Sequence, residues 1–102
     1  MKYELTGSFD ADWRDLSPDH RRLFREAVEA INRAYAQRGS RPIPYWPAHL
    51  RIKRVQGHPG IWELTWSFAG PDGRATFEFV TVDGDTGIRW RRVGSHAIFR
   101  EP

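Results

Sequence analysis

The sequence predicts an α+β fold: an N-terminal strand, one long helix, and then a four-stranded antiparallel meander with the helix on one face. Three observations predict it. Apolar residues recur at three- and four-residue steps between residues 23 and 35, which is typical of an amphipathic helix. After residue 48 the apolar period changes to two, as in strands with one buried face. Short segments rich in Gly, Pro and Asp separate these later runs and favour hairpin turns.

The N-terminal part contains a strand and the helix. A short strand is predicted over residues 3–9, followed by an acidic connection over residues 10–15. The helix is expected to begin after Ser17, because Ser is a good N-cap, the next residue is Pro, and Asp19 falls in the first turn. Gly39 is a suitable helix stop. Its apolar stripe consists of Leu23, Phe24, Ala27, Val28, Ile31, Ala34 and Tyr35.

The remaining elements follow a proline-rich crossover over residues 40–47. Four strands are predicted over residues 49–55, 61–68, 74–82 and 88–93, separated by the turns QGHPG, AGPDG and DGDTG. We expect Tyr45 and Trp46, in the crossover, to pack over the sheet edge, with stacking on nucleic-acid bases as the alternative.

Composition bounds the class of protein. At 102 residues, the chain is expected to form one domain spanning residues 1–102. It has no cysteine, which excludes disulfides and thiolate metal sites, and its four histidines lack metal-ligand spacing, so no metal or other cofactor is expected. No apolar run reaches the ~18 residues of a membrane span, and no signal peptide is evident. The sequence thus predicts a soluble cytoplasmic protein with no membrane partner.

Positive charge is concentrated in the middle of the chain. The net charge is only +3, but residues 31–60 carry six basic residues and no acidic one. Such a local electropositive region can attract nucleic acid. The six basic residues are Arg33, Arg38, Arg41, Arg51, Lys53 and Arg54.

Strand alternation predicts which side chains share the sheet face away from the helix. The residues expected to face the helix are Trp62, Leu64, Trp66, Phe68, Phe77, Phe79, Ile88 and Trp90. Those expected on the other face are Arg51, Lys53, Glu63, Thr65, Thr76, Glu78, Arg89 and Arg91. Cross-strand salt bridges would explain any single pair. The whole collection also suits RNA cleavage, because arginines bind phosphate while a carboxylate or histidine moves a proton.

Three short motifs in the second half resemble the RelE/ParE toxin superfamily of bacterial toxin–antitoxin systems. The segment GIWEL resembles the family's G-L-W-E-L-R strand, and GRATF resembles its Y/G-R-V-x-F/Y strand. The segment VGSHAIF resembles the family ending V-G-H-R-x-x-V-Y. The resemblance spans most of the chain and implies a RelE-like fold. It also implies a cognate antitoxin as partner and action on mRNA at the ribosome, or on DNA gyrase in the ParE branch.

The resemblance implies roles for individual residues. Arg74 matches the arginine that binds the scissile phosphate, and His96 falls where some members have a catalytic His or Arg. Phe99 falls near the C-terminal Tyr of some members and lacks its hydroxyl, and Thr65 stands where many members have Arg. The predicted single helix also differs from the helical hairpin that is common in the family.

These observations support a metal-independent endoribonuclease toxin as the main hypothesis. The catalytic candidates are Arg74, His96, Glu63 and Glu78. The RNA-binding candidates are Arg51, Lys53, Arg54, Arg89, Arg91 and Arg92. A non-catalytic or gyrase-directed member is the alternative, favoured by Phe99 and Thr65, and a protein-binding α+β module is a third hypothesis.

Overall fold

The structure is a computed structural model that describes residues 1–66 and 73–102, with only the backbone of His96. Its elements in chain order are β1 (Lys2–Leu5), α1 (Gly7–Asp15), α2 (Pro18–Ala36), a 3₁₀ turn (Ala48–Leu50), β2 (Lys53–Arg54), β3 (Trp62–Thr65), β4 (Arg74–Val82), β5 (Asp85–Gly94) and a second 3₁₀ turn (His96–Arg100). We call this last element the C-terminal turn. Phe68 and most of the predicted AGPDG turn lie outside the described residues.

The strands form one five-stranded sheet in the order β1-β5-β4-β3-β2. Strands β2 to β5 are an antiparallel meander, as predicted. The sequence analysis did not predict that β1 joins the same sheet parallel to β5, with Lys2 opposite Gly87 and Leu5 opposite Trp90. A parallel pair needs a long connection. Here the two helices and the meander lie between the paired strands in the sequence.

The prediction for residues 3–15 is wrong beyond Leu5, because the chain turns into α1 instead of continuing as a strand. The side chain of Thr6 caps the helix and accepts a hydrogen bond from the Phe9 amide at 3.1 Å. Phe9 and Trp13, four residues apart, stack with ring centroids at 6.0 Å. Four acidic or basic residues between Asp10 and Asp15 hid this short apolar face, so the N-terminal part is a helical pair and not a single helix.

The helix α2 confirms the strongest sequence prediction. Ser17 caps it by accepting from the His20 amide at 3.2 Å, and Pro18 occupies the first turn. The helix ends at Ala36, three residues before Gly39, which has a positive φ of 66°. Its buried residues are Phe24, Ala27, Ala30 and Ile31.

The first predicted strand of the meander, residues 49–55, is wrong in extent. Ala48–Leu50 forms a 3₁₀ turn, and only Lys53–Arg54 pairs with β3. Arg51 has a left-handed backbone with φ 48°, which a strand cannot contain. Leu50 is buried at 1% exposure and fixes this turn against the core.

Aromatic side chains fill the space between the helices and the sheet. The Phe24 ring lies 5.0 Å from Trp90 and 5.6 Å from Trp66. Each buried aromatic side chain contributes about 1.5–3 kcal/mol to folding. In the crossover, Trp46 stacks on Phe79 at 6.1 Å, so it packs against the sheet as expected. Tyr45 is 79% exposed, so the same expectation is wrong for Tyr45.

Candidate functional site

The sheet face opposite α1 and α2, here called the open face, contains a chain of ion pairs. Strand pairing places Glu4, Arg89 and Glu78 side by side on β1, β5 and β4. Arg89 donates to Glu78 Oε1 at 2.7 Å and forms an ion pair with Glu4 Oε1 at 2.8 Å. Arg91 Nη1 lies 3.5 Å from the same Glu78 oxygen. The structure thus brings three of the predicted site residues together: Glu78, Arg89 and Arg91.

These ion pairs orient the arginines. Hydrogen bonds from Arg89 to Glu78 and then to Glu4 raise the pKa of the Arg89 guanidinium above its usual value, so it stays charged across the neutral range. Glu78 Oε1 accepts hydrogen bonds from two guanidiniums. In this arrangement Glu78 positions the arginines beside it.

A β-bulge in β5 places two further cations on the open face. Trp90 pairs with Phe77, but the next pair joins Thr76 to Arg92, so Arg91 is an extra residue. With regular alternation Arg92 would follow Trp90 toward the helices. The bulge keeps Arg91 and Arg92 together on the open side and returns Val93 to the core, where it is 1% exposed. We call Arg91 and Arg92 the bulge pair.

The bulge pair is anchored by main-chain oxygens of the C-terminal residues. Arg91 Nε donates to the oxygen of Pro102 at 3.0 Å. Arg92 Nη1 donates to the oxygen of Glu101, also at 3.0 Å. The last residues of the chain are therefore held beside β5 by side chains of β5 itself.

Helix α1 holds Arg92 from the other side. Arg92 Nε and Nη2 donate to the two carboxylate oxygens of Asp12 at 2.6 and 3.1 Å. Asp12 also accepts from the Val93 amide at 3.1 Å. The hydrogen bonds with Asp12 raise the pKa of Arg92, although its partial burial acts in the opposite direction. Helix α1, which the sequence analysis did not predict, thus positions Arg92, a predicted RNA-binding residue.

The C-terminal turn covers one end of the open face. It packs against β4 and β5, and a Cβ at Gly94 would lie 3.1 Å from Ile98 Cγ2. Thr65 and Thr76, predicted on the uncovered side, are 4% and 0% exposed. The strand pairing confirms that Thr65 and Thr76 lie on the open face. The C-terminal turn, however, closes this end of the open face to solvent.

Beside the bulge pair lies a cavity of about 340 Å³. Its lining includes Arg91, Arg92, Arg100, His58, Ile61 and Glu101. Three arginines, one histidine and one glutamate thus contribute to the lining of a space large enough for a phosphodiester group. Neither His58 nor Arg100 was selected in the sequence analysis. QGHPG reads as a turn, and the only signal for His58 was an imidazole between two glycines.

The other predicted RNA-binding residues are dispersed. Lys53 lies on the open face, 3.8 Å from Glu63 Oε1 on the neighbouring strand. Arg54 lies on the opposite side, with its guanidinium 5.3 Å from the centroid of the Trp62 ring. Arg51 lies outside the strands, after the 3₁₀ turn.

The residues implied by the family resemblance lie at the covered end of the sheet. Arg74 pairs with both Thr65 and Gly94, and its Nη1 donates to the Gly73 oxygen at 3.2 Å. His96 is the first residue of the C-terminal turn, after Ser95, which caps it. The structure therefore places Arg74 on the same face as the bulge pair, two residues along β4 from Thr76, which pairs with Arg92.

The described residues contain no candidate metal site and no candidate membrane-spanning helix. In residues 1–66 and 73–102, no three His, Cys, Asp or Glu side chains are grouped so that they could hold a metal ion. Within the same described residues, neither helix is long and apolar enough to cross a bilayer.

Comparison with known proteins identifies the fold class. No protein-family model matches the chain, and no curated protein sequence matches it. Among solved structures, the chain is similar to the E. coli toxin RelE, in a double arginine-to-alanine mutant in the free state. The match has a TM-score of 0.56 and 16% sequence identity, and it covers 97% of this chain and 90% of the RelE chain. The RelE-like fold expected from the short motifs is therefore confirmed.

Proposed function

We propose that this protein is the toxin of a type II toxin–antitoxin system and that it cleaves mRNA on the ribosome without a metal ion. The observation that carries this proposal is the cavity beside the bulge pair, where Arg91, Arg92 and Arg100 converge on one space of about 340 Å³. The RelE-like fold supports it. The proposal places the protein in a bacterial cytoplasm, with an antitoxin protein and the ribosome as partners.

The arrangement suits a phosphoryl-transfer reaction. Guanidiniums bind phosphate oxygens bidentately and offset the charge that develops in the transition state. Arg100 is exposed, and among the described residues its side chain makes no hydrogen bond or ion pair, so it is open to a substrate. We propose that Arg100 and the bulge pair contact the scissile phosphate, with Arg89 and Lys53 contacting phosphates along the open face.

The four catalytic candidates from the sequence have different roles in this proposal. Arg74 would bind a phosphate at the covered end, which requires the C-terminal turn to shift when RNA binds. His96 is the first residue of the C-terminal turn and would move with that turn. Glu78 and Glu63 would act mainly by holding Arg89, Arg91 and Lys53, since both carboxylates already have cationic partners.

A non-catalytic or gyrase-directed member is the second candidate function. Two observations favour it: Glu63 and Glu78 are engaged in ion pairs, and Phe99 carries no hydroxyl. Such a protein would keep the fold and bind its target through the same cationic face. Induced expression with mapping of mRNA 5′ ends separates the ribonuclease from the non-catalytic or gyrase-directed function.

The test is induced expression in bacteria, with the 5′ ends of ribosome-bound mRNA mapped at nucleotide resolution. We expect growth arrest and new 5′ ends within the ribosomal A site. The Arg100→Ala variant should reduce cleavage by about 10²-fold or more, because one phosphate-binding donor in a preorganised site accounts for that range. Arg22→Ala is the control, since Arg22 is an exposed cation on α2 whose ion pair with Glu26 is local.

Each result has a definite meaning. Normal growth with intact message would overturn the proposal. DNA breaks without RNA cleavage would instead establish a gyrase target. Equal loss of cleavage in the Arg100 and Arg22 variants would show that total charge, and not the cavity, determines activity.

A further inference from the structure

We infer that His58 accepts the proton of the attacking 2′-hydroxyl, so that it is the general base of the cavity beside the bulge pair. This inference rests on the proposed ribonuclease function. The lining of the cavity combines His58 with Arg91, Arg92 and Arg100, and base-assisted cleavage of RNA uses a proton acceptor together with cations that bind phosphate.

The loop over residues 55–61 presents His58 in a defined way. Its ends are closed by a hydrogen bond from the Val55 amide to the Ile61 oxygen at 2.9 Å. Within it, the His58 amide donates to the Val55 oxygen at 3.3 Å, and the Ile61 amide donates to the His58 oxygen at 3.2 Å. These bonds close two consecutive turns, so the position of His58 is set by the backbone.

Two glycines make these turns feasible. Gly57 and Gly60 have φ angles of 81° and 83°, in the left-handed region that other residues rarely adopt. Their spacing places His58 between the two turns, and His58 and Ile61 both contribute to the lining of the cavity.

The state of the two carboxylates predicted as catalytic, Glu78 and Glu63, favours His58 over them as the proton acceptor. Glu78 accepts from Arg89 and Arg91, and Glu63 pairs with Lys53. By contrast, the His58 side chain has no hydrogen bond or ion pair within the described part of the chain, and it is exposed to the cavity. Both ring nitrogens are therefore available to a bound substrate.

The reaction balances without another reactant. The ring nitrogen of His58 removes the proton from the ribose 2′-hydroxyl, and the 2′-oxygen forms a bond to phosphorus. The bond from phosphorus to the 5′-oxygen of the next nucleotide breaks, and that oxygen takes a proton from water. The products are a 2′,3′-cyclic phosphate and a 5′-hydroxyl, and the imidazolium returns its proton to solvent.

The experiment uses the full chain with programmed bacterial ribosomes that carry a synthetic mRNA, measured under single-turnover conditions. We expect His58→Ala and His58→Gln to lower the cleavage rate by about 10²–10⁴-fold, with ribosome affinity unchanged within about twofold. Added imidazole should restore part of the rate in His58→Ala. The control is His49→Ala, because His49 is also exposed but lies on the 3₁₀ turn before β2.

A modified substrate tests the base role directly. When sulfur replaces the 5′-oxygen at the cleavage site, the leaving group needs no proton, so loss of a general acid is tolerated and loss of a general base is not. We expect the His58→Ala defect to persist on this substrate. If the defect disappears there, His58 is an acid, and the inference is wrong.

The failures of the two proposals are distinguishable. If the wild-type protein cleaves and both His58 variants cleave at the wild-type rate, the inference is overturned and the ribonuclease function stands. If the wild-type protein does not cleave mRNA on the ribosome, the proposed function fails and the inference fails with it. Circular dichroism of the variants separates a chemical defect from a folding defect.

Discussion

Arg92 is held by a carboxylate on one side and by a main-chain oxygen on the other, through contacts with Asp12 and Glu101. Its side chain and that of Asp12 are 26% and 18% exposed, so solvent screens their interaction only partly. Asp12 also accepts from a backbone amide of β5. One acidic residue therefore joins α1 to the strand that contains the bulge pair.

Replacing Asp12 tests this role. We expect Asp12→Ala to lower the free energy of unfolding by about 1.5–3 kcal/mol, because it removes charge-assisted hydrogen bonds and leaves Arg92 without its carboxylate. Urea denaturation measures the change. The control is Glu26→Ala, which removes an exposed helical pair with Arg22 and should cost about 0.3–0.5 kcal/mol. Similar losses for both variants would contradict the structural role of Asp12.

The raised pKa of Arg92 predicts how the stability difference between the wild-type and Asp12→Ala proteins depends on pH. A raised pKa in the folded state stabilises the protein at every pH below the unfolded pKa, and this stability is lost only as pH rises through the folded pKa, far above neutrality. Arg92 therefore contributes no slope between pH 6 and 9. The wild-type and Asp12→Ala proteins should differ by a constant free energy of unfolding across that range.

Among the elements, the hairpin from β4 to β5 determines where the bulge pair lies. Asp83 and Gly84 form its two-residue loop, and both have positive φ, at 51° and 84°. This is the backbone of a type I′ turn, whose twist matches that of the strands. The turn fixes the register of β5 against β4, and the bulge then shifts it by one residue.

The hairpin offers a test with a matched control. An added methyl group at Gly84 meets nothing within 4 Å, so Gly84→Ala should be destabilised by backbone strain alone, by about 1–2 kcal/mol. Gly7→Ala meets equally open space at a residue without positive φ, at the start of α1, and should be neutral or slightly stabilising. Thermal denaturation compares them. Equal melting temperatures would show that the loop is not a type I′ turn.

At the scale of the whole molecule, the fold separates the aromatic core from the charged residues of the open face. Both helices pack on one face of the sheet, and the aromatic core lies between them and β3, β4 and β5. The open face is left to charged residues and to the C-terminal turn. The cavity beside the bulge pair is built from segments that are far apart in sequence, from Thr6 to Glu101.

This separation predicts which cations affect RNA binding. If RNA lies on the open face, Lys53→Ala should lower the slope of log affinity against log salt concentration by about 0.7, the value for one lost phosphate contact on a single strand. Arg54→Ala should leave the slope unchanged, since Arg54 lies against Trp62 on the other side. Filter binding at several salt concentrations measures both. An equal effect would place RNA around the β2 edge.

The sequence by itself determined the features that depend on neighbours along the chain. Ser17 and Pro18 begin α2, the apolar stripe gives its buried face, and the alternation in β4 and β5 gives the inward rings. Residues 74–82 were predicted as a strand with the observed ends, because turn residues bound that apolar run. These signals are local, so a single sequence contains them.

Only the tertiary structure decided the position of β1, the existence of α1, and the bulge. The pairing of Lys2 with Gly87 and the contact of Asp12 with Arg92 join residues about 80 positions apart, and no local pattern specifies such contacts. The bulge reverses the face of Arg92 and Val93 by one residue of register. The lining of the cavity includes residues of α1 and of the bulge, and so His58 becomes a candidate only after the chain has folded around it.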